Sequence, residues 1–232
     1  MNAPAPTLRA RAYESFQRQI IDANIRPGQF ISQRELVQLL GMPLGAVREL
    51  IPRLEADGLL RTVPQRGLQI AHVDLALINN AFHLRQVLER EAIARFCHSV
   101  SDADLATIED AHRRIVRRAK NGPVDAALLS DAQAVDWGLH DLMIDALGNA
   151  LISETYRVNS LRLRLIWLER TILSEDTLAD AMQEHLWFIE ALKRRDDKRA
   201  VERLAHHLDC ARKSVLGLPR PALAKREEVS IE

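Results

Sequence analysis

The sequence predicts a mainly α chain in two parts: a small N-terminal unit of three helices and a hairpin, and a larger C-terminal antiparallel bundle of six to seven helices. Up to about residue 71 the elements are short and broken by Gly and Pro. From about residue 74 the apolar residues recur with a helical period over long stretches, with no convincing strand pattern. Length agrees: 232 residues, 47% hydrophobic and 28% charged, exceed what one small domain needs and can fill two cores.

The elements follow in order. A first helix runs over about 8–24 and stops at the turn Arg26-Pro27-Gly28. A second covers about 32–40, opened by Ser32 with Glu35 in capping-box spacing and closed at Gly41. A third covers about 44–57. Strands Leu59–Thr62 and Gly67–Ile70 flank the turn Pro64-Gln65-Arg66-Gly67. Six helices come next, at about 74–98, 102–120, 124–146, 149–170, 175–195 and 197–216. Ser101 with Asp104 opens the second of these, Asn121-Gly122-Pro123 ends it, and Ser174-Glu175-Asp176 opens the fifth. The expected domains are 8–72 and 74–217, with a polar, Pro-containing tail over 218–232 expected to be disordered.

No apolar run reaches the roughly 18 residues of a membrane span, so no membrane partner is expected. The first residues lack the basic and apolar regions of a secretory signal, and the expected compartment is the cytoplasm. Cys97 and Cys210 lie within helical patterns and read as small buried residues rather than a disulfide pair. Net charge is zero overall but uneven. Residues 1–71 hold nine Arg, no Lys and six acidic residues, a surplus of +3, and the remainder carries −3. A basic small domain on an acidic larger one suits a polyanion at one end only.

Helix, short Gly-containing turn, helix and hairpin is the order of a winged helix-turn-helix, whose second helix enters the major groove of DNA. In the helix that begins at Leu44, Val47, Ile51 and Leu54 form the inward stripe and Arg48 lies off it, positioned for bases. Arg34, at the start of the preceding helix, suits a phosphate, and Arg66 with Gly67 at the hairpin tip suits the minor groove or backbone. The bland alternative for each arginine is an ordinary solvated charge.

In the helical part, Ile78, Phe82, Ile93 and Phe96 make an apolar stripe with Arg85 and Glu89 inside it. Buried charge needs a partner, so this is either an ion pair at an interface or a cavity in which Arg85 meets an anionic ligand. Asp136 and His140, four apart, project side by side at the edge of the face made by Leu128, Ala132, Val135 and Leu139. His185 falls within about 50° of the inward face of its helix and His207 about 70° from that of the last helix, whereas His206 lies about 170° away, towards solvent. One Asp and three His converging from three helices suit a divalent transition metal. Arg162, with Asn159 nearby, sits on a helix apolar almost all round and needs either a protein carboxylate or an effector as partner.

The segment from Ile25 to Leu36, Leu40-Gly41, Ala46-Val47-Arg48-Glu49, Arg53 to Leu60 and Gln65-Arg66-Gly67 together resemble the opening domain of the GntR family of bacterial regulators. One position departs: the family's Ser-Arg-Thr-Pro at the recognition helix is Pro43-Leu44-Gly45-Ala46 here, so Leu44 stands where an arginine usually contacts DNA. Residues 74–217 resemble the FCD-type ligand-binding domain of the FadR subfamily, through Leu84 to Glu89, Asp136-Trp137-Gly138-Leu139-His140, Gly148-Asn149, Glu184-His185 and His207. The resemblance implies that Asp136, His140, His185 and His207 bind a metal that holds a carboxylate effector. The expected ion is zinc, with nickel or another transition metal as the alternative.

The function expected is that of a homodimeric transcriptional regulator, not an enzyme. It would bind a double-stranded operator with inverted-repeat symmetry, its affinity set by a small carboxylate effector. Two other classes compete. One is a regulator that senses the divalent metal directly. The other is a metal-dependent hydrolase, which lacks an assignable general base.

Overall fold

The computed structural model describes residues 7–170 and 175–220. The expected tail from 221 onward, and the start of the fifth bundle helix at Ser174, lie outside the described residues. The chain's contacts divide it into two compact units: the described residues of Met1–Arg85 and Leu151–Thr171 form one, and those of Gln86–Ala150 and Ile172–Glu232 the other.

The first unit opens with helix α1 (Leu8–Ile21), capped by Thr7, and strand β1 (Phe30–Ile31). Helix α2 (Gln33–Leu40) follows. The Ser32 hydroxyl accepts from the Glu35 amide and the Glu35 carboxylate from the Ser32 amide, as the capping box requires. Gly41 then closes the helix in the left-handed conformation, at φ 61°. Helix α3 (Leu44–Ala56) buries Val47, Leu50, Ile51 and Leu54. Pro52 lies inside it and offers no amide to the carbonyl one turn earlier, yet the apolar residues on either side keep the helix going to Ala56.

Strands β2 (Leu60–Val63) and β3 (Gly67–Ile70) form the expected hairpin. The sequence reading omitted β1, which pairs antiparallel with β3 (Phe30 opposite Gln69, Ile31 opposite Leu68) and makes the sheet order β1-β3-β2. Two residues are too short to show an alternation. The approach of β1 accounts for Gly67: its φ is 90°, and a Cβ there would sit 3.1 Å from the Ile31 carbonyl oxygen.

Helices α4 (Leu75–Ser99), α5 (Asp102–Asn121), α6 (Ala126–Asp145), α7 (Ala150–Arg170), α8 (Glu175–Lys193) and α9 (Asp197–Val215) are the six expected, each within about two residues of its expected ends. Packing does not simply follow chain order. Leu161 and Leu165 of α7 join the core of the first unit with Phe16, Leu50, Leu54 and Ile70. In the second unit α8 packs on α9, α5 and α6, and α5 also packs on α6. No described helix is long and apolar enough to cross a membrane. The two cysteines are buried and not disulfide-bonded, as expected.

Candidate functional site

In the second unit, α6, α8 and α9 bring Asp136, His140, His185 and His207 together. All four are buried, and one ligand atom from each lies within 4.8 Å of the others. The i, i+4 spacing on α6 supplies the first pair. His185 and His207 meet from facing helices with ring centroids 4.4 Å apart.

The partners of these histidines decide which nitrogen faces the centre. His140 Nδ1 lies 2.8 Å from Glu89 Oε2, and His207 Nδ1 lies 2.9 Å from Glu184 Oε2. A carboxylate only accepts, so both Nδ1 atoms carry hydrogen and the neutral rings keep their lone pairs on Nε2. His112 donates from Nδ1 to the Ile108 carbonyl at 2.7 Å. Its Nε2, 2.9 Å from His185 Nδ1, then accepts from that nitrogen. Three Nε2 lone pairs and the Asp136 carboxylate therefore converge.

His185 Nε2 stands 3.1 Å from His207 Nε2 and 3.2 Å from Asp136 Oδ1. Donors about 2.1 Å from one ion are separated by roughly 3.0 Å at right angles and roughly 3.4 Å at tetrahedral corners, so these spacings fit a shared cation. Asp136 Oδ2 is buried and takes no hydrogen bond from a described residue, which also fits a coordinating oxygen.

The electrostatics favour the metal-ready forms. Burial, then the nearness of His207, holds His185 well below the usual imidazole range, and burial lowers His112 as well. Burial pushes the Asp136 carboxyl up, and a proton on His185 foremost, or on His140 or His207, lowers it below the usual carboxylate range, a charge that a bound cation would replace. Glu184 is likewise pushed up by burial and lowered more by His207 and Arg220, whose Nη2 lies 2.7 Å from Glu184 Oε1.

The three residues expected at the effector, Arg85, Asn159 and Arg162, are all at least half-buried. Arg85 is fully buried on α4, one helical turn before Glu89, and Glu89 is the partner of His140. Asn159 donates to the Ala81 carbonyl at 2.9 Å. Arg162 is half-buried, and its Nη2 donates to the Asp57 main-chain carbonyl at 2.7 Å rather than to a carboxylate. Asp57 is the C-cap of α3, where helix carbonyls lack partners and a cation is favoured. A second link joins the same helices, Arg53 to Glu154 at 3.1 Å.

Of the residues expected to face DNA, Arg34, Arg48 and Arg66 are all exposed, and Leu44 is 44% exposed at the start of α3. Arg66 lies over the Phe30 ring at 3.9 Å, next to Gly67 at the hairpin turn.

Sequence reasoning passed over His112 and gave Glu184 no role of its own. His112 does fall on the buried stripe with Leu105 and Ile115, so a face test on α5 would have found it. His206 was placed in solvent. It is half-buried, its ring edge-on to Trp187 and its Nε2 3.4 Å from Cys210 Sγ.

Comparison with known proteins identifies the domains. Residues 8–70 match the profile of the gntR family of bacterial regulatory proteins, and residues 80–209 match that of the FCD domain. The chain is 24% identical over 200 residues to the HTH-type transcriptional repressor GlaR of Escherichia coli strain K12, covering 84% of this chain and 90% of that protein. It is 22% identical over 216 residues to the repressor RspR of the same strain, covering 91% and 90%. The solved structure of E. coli McbR/YncC shares the fold with a TM-score of 0.77 at 16% identity, over 92% of this chain and 99% of that one. GlaR and RspR, like the family, are DNA-binding transcriptional regulators rather than enzymes. The chain belongs to the GntR family of bacterial transcriptional regulators, with a winged helix-turn-helix at its N-terminus and an FCD domain after it.

Proposed function

We propose that this chain is a regulator of the FadR type whose operator affinity is set by a small carboxylate effector at a metal centre formed by Asp136, His140, His185 and His207. The observation that carries the reading is the convergence of three Nε2 atoms and one carboxylate in a buried cluster, with a hydrogen-bond acceptor behind each histidine. Zinc is the expected ion, with nickel as the alternative. Bound there, a divalent ion offers a carboxylate effector an electrophilic anchor. Arg85 is the proposed cation for the effector's remaining charge.

Two recognition helices in a homodimer would read an inverted repeat, Arg48 at base edges and Arg34 and Arg66 at the backbone or minor groove. The ties from α7 to α3 support a route to the DNA: α7 lies within the FCD match, yet Arg162 and Glu154 grip the C-terminal part of the recognition helix. A shift of α7 would therefore move the surface that meets DNA. Complete burial of the four ligands favours one second reading, in which the metal itself is the signal.

Fluorescence anisotropy separates the two. DNA selected in vitro by the protein is titrated with chelated protein, with zinc-loaded protein, and with zinc-loaded protein plus a panel of small carboxylic acids. The proposal expects a carboxylate to change affinity at least about 10-fold, only when zinc is present. A change with zinc alone supports direct metal sensing. No change in any arm overturns both.

A further inference from the structure

We propose that Glu184, His206 and Cys210 form a second cation site, separate from the four-residue centre, that takes a thiophilic divalent ion such as zinc, with Arg220 as the charge that holds its place. One ligand atom from each of the three residues lies within 4.8 Å of the others. Cys210 and His206 are four apart on α9 and so share a face, and Glu184 comes from α8, which packs on it. Cys210 Sγ and His206 Nε2 are 3.4 Å apart. Sulfur at about 2.3 Å and nitrogen at about 2.05 Å from a tetrahedral zinc are separated by roughly 3.5 Å, so the pair already has the right bite. Trp187 fixes the imidazole, ring centroids 5.5 Å apart and planes at 87°.

A cation is already present at this spot, supplied by the chain. Arg220, in the segment that follows α9, sets Nη2 2.7 Å from Glu184 Oε1. Glu184 Oε2 stays with His207 Nδ1, so a metal taking Oε1 displaces the guanidinium and leaves the four-residue centre its hydrogen bond. The cluster has an approach from solvent, through the partly exposed His206. Burial foremost, and then Glu184, push the Cys210 thiol up to about 12. At neutral pH the sulfur therefore keeps its proton until the incoming ion binds it and the proton passes to solvent. A water or an exogenous ligand completes the fourth position.

Cobalt(II) reads this site alone, because only a sulfur ligand gives a thiolate-to-cobalt band in the near ultraviolet and the four-residue centre contains no sulfur. Full-length apo-protein, reduced and anaerobic, is titrated with Co2+. The band is expected in the wild type and in Cys97→Ser, and is expected to be absent in Cys210→Ser. His206→Ala should weaken cobalt binding at this site at least about 10-fold, and Arg220→Ala should tighten it by about that factor. If Cys210→Ser does not fold, the half-exposed His206 decides. No band at saturating cobalt, a band that survives Cys210→Ser, or one unmoved by His206→Ala overturns the site. Unchanged affinity in Arg220→Ala overturns the place-holding role.

Discussion

The winged domain and the candidate metal centre use charged residues in opposite ways. On the side proposed to face DNA, Arg34 and Arg48 stand exposed and form no ion pair with a described residue, while Arg66 rests on Phe30. At the centre Asp136, His140, His185 and His207 are buried, and each histidine is pinned from behind by Glu89, His112 or Glu184. The difference teaches what each partner brings. DNA carries its own dense charge and accepts arginines that are free to adjust. A metal ion needs donors fixed in advance, because burial of ligands without an ion or a proton between them is costly.

The contrast breaks most visibly at the metal. His207→Ala should abolish binding at the four-residue centre. Zinc at about 1,000 times its Kd adds about 4 kcal/mol, so most of a zinc-dependent rise in Tm of about 10 °C should vanish in scanning calorimetry. Behind the ligands, Glu89→Gln and His112→Phe should each weaken zinc about 10- to 100-fold in a competition against a chelator. An unchanged affinity in both would mean that the acceptors do not orient the rings.

At the DNA-facing side the effects should fall on binding and spare stability. Arg48→Ala should weaken the operator complex by about 1–3 kcal/mol and relax one position per half-site. Its free energy of unfolding should stay within about 0.5 kcal/mol of wild type. Arg34→Ala should weaken all DNA sequences about equally and flatten the salt dependence by about one unit of slope. Leu44→Arg should raise affinity for DNA in general, as its exposed place at the start of α3 allows. Arg162→Ala should cost about 1–2 kcal/mol in denaturant unfolding, since the Asp57 carbonyl loses a charged donor in a half-buried place.

Much of this was legible in the sequence, and the limits are physical. All six long helices follow from periodicity. So does the quartet, because each of its residues lies on or beside an apolar stripe, which is a local property. His112 lies on such a stripe too. A lone histidine among apolar residues, however, has no evident role until the helix carrying His185 is set against it. For Arg162 a protein carboxylate or an effector was expected, and the hydrogen bond it makes goes to a main-chain carbonyl that any residue at position 57 would supply. The place of α7 in the core of the first unit depends on which faces fit together across more than a hundred residues of chain, and no window of sequence contains that.

The most direct test of the metal centre is anomalous diffraction at the zinc edge from crystals of zinc-supplemented full-length protein. The expected result is a peak about 2.0–2.2 Å from a carboxylate oxygen of Asp136 and from Nε2 of His140, His185 and His207. Anomalous density absent from that position, in protein saturated with zinc, would contradict the centre and the regulation proposed through it.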